Sequence, residues 1–180
     1  MTAEDWLDAA LQVVAEGGLK ALAIEPLAKR MGISKGSFYW HFKNRRALLL
    51  ELLKFWDSIE IDFQERLLAE SNDPETFLIS TFTLLVEDDT NKCIFLALSN
   101  ELKDAEVRAV YEKAVDRRIK LFHDAYVALG MDKKQSAQKA IITFNLYLGL
   151  IKSLLDTPEK VPKLNGKSKL MIAVTKLILP

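Results

Sequence analysis

IEPLAKRMGISKGSFYWHFKNRR, residues 24–46 of a 180-residue chain, decides how the rest is read. Pro26 is tolerated in a first helical turn, and Gly32 ends the short helix that runs from about Glu25 to Met31. Ser34 stands where an N-cap is wanted and opens a second short helix, from Lys35 to His41 or Phe42. Two short helices across a tight turn, with a longer helix beginning near Asn44, predict a helix-turn-helix unit. Between Lys29 and Arg46 there are six basic residues and no acidic one, interleaved with Phe38, Tyr39, Trp40 and Phe42. Cations among aromatics are the composition that meets phosphates and base edges, so the stretch points to nucleic acid.

The net charge of the chain is zero, with 25 Lys and Arg against 25 Asp and Glu. Its distribution matters more than its sum, because a local cationic face is what meets phosphates. Residues 1–50 hold seven basic side chains and five acidic ones, all five before Pro26, and the remaining 130 residues hold 18 basic and 20 acidic. A composition 49% hydrophobic and 28% charged is that of a globular protein with a real core, neither disordered nor fibrous. No internal repeat is visible.

The N-terminus, MTAEDWLDAA, lacks the basic flank and apolar core of a secretory signal, and no apolar run is long enough to span a bilayer. A cytoplasmic protein with no membrane partner is expected. Cys93 is the single cysteine and His41 and His123 are the only histidines, which excludes an internal disulfide framework and leaves no zinc-like spacing. Neither a metal nor a cofactor is expected. No Ser/His/Asp set and no phosphate loop occurs, so no catalytic residue is assigned and an enzyme is not expected.

The remaining sequence reads as helix throughout. Thr2 with Asp5 resembles a capping box for a first helix whose apolar stripe is Trp6, Ala10 and Val13 with Leu7, Leu11 and Val14 alongside, and Gly17 and Gly18 end it. The fourth helix keeps an apolar pattern from Leu48 to Leu67, and from 44 to 70 it would be about 40 Å long at about 1.5 Å per residue. SNDP at 71–74 signals a cap and a fifth helix to about Glu87, EDDTN at 87–91 a break, and 92–102 a shorter apolar helix. Asp104 to Leu129 forms another long helix ended by Gly130, Asp132 caps one running to about Asp156, and a loop at 156–167 leads to a last helix, Ser168 to Leu179.

The helix after Asp132 carries apolar residues on every side, Ile141, Ile142, Phe144, Leu146, Tyr147, Leu148, Leu150, Ile151, Leu154 and Leu155 among them. A helix apolar all round must be covered all round, and a second subunit is the simplest cover for half of it. The expected interface is a four-helix bundle built from the last two helices of each subunit, using Leu146, Leu150, Leu154, Met171, Val174 and Ile178.

This order of elements, with LA at 27 and 28, MGIS at 31–34, KGSFYWHF at 35–42 and then KNRRALL, resembles the TetR family of bacterial transcriptional regulators. NLYLGL at 145–150 is a weaker local likeness to that family's interface helix. The resemblance implies an all-α fold: an N-terminal three-helix helix-turn-helix domain over residues 1–46, and an effector-binding and dimerisation domain over 47–180. The residues also have their own physical reading. Ala28 is small where two helices cross closely, Gly32 supplies the positive φ of the turn, and Leu27, Met31, Ile33, Phe38 and Phe42 pack inward.

With the third helix in the major groove, Lys35 and Ser37 face base edges and Gly36 allows close backbone approach. By resemblance to the family, Tyr39, His41, Lys43 and Arg45 contact phosphates, and Trp40 touches a thymine methyl or a sugar. One position departs from the family's pattern: Ala23 stands where Thr or Ser usually caps the second helix and reaches a phosphate. Either Glu25 or a backbone amide substitutes there, or one contact is missing.

The expected function is a homodimeric repressor of double-stranded DNA with a near-palindromic operator, released by a small effector. Effector candidates are Trp56, Phe63, Phe82, Phe122, His123, Tyr126, Phe144 and Asn145, whose aromatic majority suits a largely apolar ligand. The competing expectation is a helical small-molecule carrier without specific DNA binding.

Overall fold

A computed structural model describes residues 1–70, 73–161 and 168–180. Ser71 and Asn72 of the cap-and-turn signal, and 162–167 of the last loop, lie outside the described residues. Those described form nine α-helices and one 3-10 turn, with no strand. The helices are α1 (Ala3–Gly17), α2 (Ile24–Arg30), α3 (Lys35–Phe38), α4 (Arg45–Glu70), α5 (Pro74–Glu87), α6 (Asp89–Ser99), α7 (Ala105–Ala128), α8 (Lys133–Asp156) and α9 (Lys169–Ile178). The 3-10 turn is Leu19–Ala21.

Polar side chains start most of these helices. Thr2 and Asp5 form the expected capping box, the Asp5 amide donating to the Thr2 hydroxyl at 3.2 Å and the Thr2 amide to the Asp5 carboxylate at 2.6 Å. The side chains of Asn44, Asp73, Asp132 and Ser168 accept from first-turn amides of α4, α5, α8 and α9. Each such cap is worth about 1 kcal/mol. Asp88 does the same for α6 by accepting from the Asn91 amide at 2.9 Å. The acids of EDDTN therefore begin α6 at Asp89, three residues earlier than the apolar pattern alone indicates. Gly18 and Gly32 hold φ at 72° and 69°, a region open to glycine and costly to residues with a Cβ.

The chain divides into two compact units. One is Met1–Asp62 with Cys93–Lys113, the other Phe63–Lys92 with Ala114–Pro180, so α4, α6 and α7 each contribute residues to both. The division does not follow the expected 46/47 boundary, and the packing of α4 explains why. Leu48, Leu49, Leu52, Leu53 and Trp56 are all buried, and Trp56 meets Phe95 of α6, in the same unit, with ring centroids 6.4 Å apart. Phe95 in turn meets Tyr111 of α7 at 4.8 Å.

The core of the first unit includes Trp6, Ala10, Leu11, Val14, Leu27, Ala28 and Phe38, each fully buried Leu or Phe contributing about 1.5–3 kcal/mol. In the second unit the ring of Phe82 lies 6.4 Å from those of both Phe122 and Tyr147, and Phe144 lies 6.1 Å from Tyr147. The Tyr126 hydroxyl joins Thr143 of α8 and donates to the Ile178 carbonyl of α9, each at 2.6 Å. Met171, Val174 and Ile178 are buried on the inner side of α9.

Candidate nucleic-acid interface

The helix-turn-helix is built from α2, a turn around Gly32, and α3. Ala28 is 3% exposed, and the Ile33 amide donates to its carbonyl at 3.0 Å, closing the turn over the end of α2. Ser34 precedes α3 in extended conformation, but its hydroxyl makes no capping bond; the Ser37 amide donates instead to the Ser34 carbonyl at 3.1 Å. The α-helix proper ends at Phe38, shorter than expected. Helical turns continue, with the amides of Tyr39, Trp40, His41 and Phe42 donating three or four residues back.

Spacing sorts the aromatic run into two sets. Phe38 and Phe42, four apart, are 0% and 5% exposed, with ring centroids 5.5 Å apart, and Phe38 meets Trp6 of α1 edge-on at 5.3 Å. That anchor turns the residues between them outward: Tyr39 is 53% exposed, Trp40 87%, and His41 is exposed too, as is Lys43 just after them. A large apolar ring left almost wholly in water has no folding role. Gly36 is also exposed, and a Cβ there would meet nothing closer than Ser34 Oγ at 3.6 Å, so the protein itself does not require glycine at this point.

The basic residues are not equivalent. Arg30 makes a two-bond contact with Glu16 at 2.5 and 2.7 Å. Lys35 pairs with Glu25 at 2.5 Å, and that hydrogen bond holds the Glu25 carboxyl below the usual carboxylate range. Arg46 pairs with Asp104, whose second oxygen also accepts from the amides that open α7. Arg45 donates from Nε to the Leu22 carbonyl at 2.5 Å and from Nη2 to the Leu19 carbonyl at 2.8 Å. The arginine expected on a phosphate is thus a strut tying the start of α4 to the 3-10 turn. Lys29 and Lys43 are exposed, with no ion pair among the described residues.

Ala23 precedes α2 with no side-chain capping bond. Glu25 does not substitute for the missing cap hydroxyl, because its carboxylate is directed at Lys35.

The eight effector candidates fall in both compact units. Trp56 belongs to the first unit and the other seven to the second. Phe82, Phe122, Tyr126 and Phe144 are buried, whereas Asn145 is exposed and donates to the Ile141 carbonyl of its own helix at 2.8 Å. His123 faces its neighbour Asp124 at 3.0 Å. Missing from the expectation is Arg118, 1% exposed, which donates to the Tyr147 hydroxyl at 2.8 Å and has its guanidinium 5.4 Å from that ring centroid. Its spacing of four from both Ala114 and Phe122 marks it as a charge on an apolar stripe, a signal present in the sequence.

Half of the expected dimer set is used within the subunit. Met171, Val174 and Ile178 are 3%, 2% and 2% exposed in the chain alone, so a partner cannot bury them further. Leu146, Leu150 and Leu154 are half-buried. The apolar residues that α8 and α9 leave open are Ile141, Ile142, Leu155, Ile172 and Leu177, between 42% and 64% exposed.

Among the described residues no group of His, Cys, Asp and Glu could hold a metal ion, and no helix is long and apolar enough to cross a membrane. A short helix set across a tight turn from α2, held by the buried Phe38–Trp6 anchor and followed by the exposed Tyr39, Trp40, His41 and Lys43, defines a helix-turn-helix protein. The family described as bacterial regulatory proteins, tetR family, matches residues 7–52. Over that segment the chain is similar to the TetR family, and the whole chain has the all-helical fold of solved transcriptional regulators.

A transcriptional regulator from Rhodococcus sp. Rha1 is 18% identical with a TM-score of 0.78, over 99% of this chain and 94% of that one. The transcriptional regulator FadR from Bacillus subtilis, solved in complex with stearoyl-CoA, is 19% identical with a TM-score of 0.66, over 98% and 96%. In sequence, the fatty acid metabolism regulator protein of Bacillus subtilis (strain 168) is 30% identical over 107 residues, 57% of this chain. The chain spans 54%, about half, of that relative's length.

Proposed function

We propose that the protein is a homodimeric, ligand-responsive transcriptional regulator, a repressor that binds a near-palindromic operator and is released by a small, largely apolar effector. It acts by binding rather than catalysis, in the cytoplasm where its DNA lies. The observation that carries the reading is the division of the aromatic run, in which Phe38 and Phe42 are locked inside while Tyr39, Trp40, His41 and Lys43 stand in water. Lys35, Gly36 and Ser37 then meet base edges, Tyr39, His41 and Lys43 meet phosphates, and Trp40 a sugar or thymine methyl. Arg45 serves the same surface by fixing the start of α4.

The second copy is supported by the apolar face of α8 and α9. Ile142 and Leu177, 63% and 64% exposed, join Leu146, Leu150 and Leu154 in an interface that brings two recognition helices about 34–36 Å apart. The effector is supported by the aromatic cluster of the second unit and by FadR, whose structure holds stearoyl-CoA. An effector that binds the two spacings of the recognition helices with different affinity shifts the protein off DNA.

Selection of bound sequences from a random DNA pool tests the reading. A regulator enriches a near-palindrome with half-sites one helical turn apart, and a compound screen against that winner then finds the effector. A helical carrier binds the pool weakly and enriches nothing.

A further inference from the structure

We infer that Glu25 is a specificity-determining residue: with Lys35 it forms one acceptor-and-donor unit that reads a single G·C base pair, Lys35 on guanine O6 and N7 and Glu25 on the cytosine N4 amino group. The inference rests on the DNA-reading function proposed above.

Glu25 lies in the first turn of α2 and Lys35 opens α3, yet Lys35 Nζ and Glu25 Oε1 are 2.5 Å apart. Their side chains are 74% and 47% exposed, and an open pair of this kind adds little to folding. Glu25 is the only carboxylate between Gly17 and Leu50, a span with seven Lys and Arg side chains. Beside phosphates, a lone negative charge weakens binding to every sequence alike. It favours binding only where it meets a donor.

On the major-groove edges the donors are the amino groups of cytosine and adenine, and a carboxylate set against O6, O4 or N7 is repelled. Lysine alone discriminates little, since its three donors suit guanine, thymine O4 or adenine N7. Held against an acceptor, Lys35 needs an edge where acceptors stand beside a donor. G·C presents two neighbouring acceptors and then the N4 amino group, the order in which Lys35 and Glu25 present their complements. A·T places its amino group between two acceptors, one of which would face the carboxylate. The hydrogen bond from Lys35 keeps the Glu25 carboxyl below the usual range, so at neutral pH it only accepts.

The test is random-pool selection with the intact wild-type chain, E25Q, E25A and K35A, followed by equilibrium binding to duplexes differing at one base pair. The wild type should require G·C at one position of each half-site by about fivefold or more, the discrimination of a well-made side-chain pair. E25Q and E25A should bind the pool as a whole more tightly, because a repulsive charge is gone, while discrimination at that position falls at least about fivefold. K35A should lose preference at the same position. Unchanged preference at every position in E25Q and E25A would overturn the inference and leave Glu25 a surface ion-pair partner. A wild-type chain that enriches no sequence would overturn the proposed function, and this inference with it.

Discussion

Arg45 donates through Nε to the main-chain carbonyl of Leu22 at 2.5 Å. Its second bond, to Leu19 at 2.8 Å, makes the guanidinium a two-point clamp between the 3-10 turn and α4. Hydrogen bonds made by a charged donor are worth about 1.5–3 kcal/mol, and Arg45→Ala should lose about that much stability in urea unfolding. Arg45→Lys should recover less than half of it, since one ammonium cannot reproduce the planar fork.

The two aromatic sets should respond oppositely. Phe38→Ala removes a fully buried ring and should cost about 3–5 kcal/mol. Trp40→Ala should leave stability within about 0.5 kcal/mol, as expected for an exposed site, while weakening operator binding. Thermal melts and binding isotherms on the same two variants check both halves.

The Arg46–Asp104 pair gives a pH signature. The hydrogen bond from Arg46 holds the Asp104 carboxyl below its ordinary value of 3.8, so the charged form is favoured in the folded chain. Its contribution is fully present above that ordinary value and is lost as pH falls through the lower, folded one. Partial exposure limits it to about 1 kcal/mol or less. The stability gap between wild type and Asp104→Asn should therefore be visible at neutral pH and should close below about pH 4.

Much of the helix-turn-helix was legible because backbone demands and packing leave local marks. Gly32 at φ 69°, small Ala28, and Phe38 and Phe42 at a spacing of four are each visible within the segment itself. What was not legible depends on partners distant in sequence. Arg46 finds Asp104, 58 residues away, and Arg45 finds carbonyls 23 and 26 residues earlier; no local pattern distinguishes these arginines from the exposed Lys43. The faces of α9 were ambiguous for a related reason. Met171, Val174 and Ile178 form a buried stripe while Ile172 and Leu177, on other sides of the same helix, stay exposed, and on a helix apolar on several sides only the rest of the chain decides which residues turn inward.

That distinction yields a prediction for assembly. Ile142→Glu or Leu177→Glu places a charge on the open face and should give folded monomers in sedimentation. Val174→Glu places one in the core and should unfold the chain.

The salt dependence of binding counts the free cations. Lys29 and Lys43, two per subunit, give about four phosphate neutralisations in a dimer and a slope of log K against log salt near −4, whereas all six basic residues acting together would give about −11. Lys43→Ala should reduce the slope by about two in the dimer without altering sequence preference.

The most direct test of the central claim is equilibrium binding of the intact protein, at one salt concentration, to its pool-selected operator and to the same duplex with both half-sites scrambled. A dimeric reader of sequence should bind the operator at least about a thousandfold more tightly. Affinities for the two duplexes within about tenfold of each other, which would mark nonspecific phosphate binding, would contradict the account.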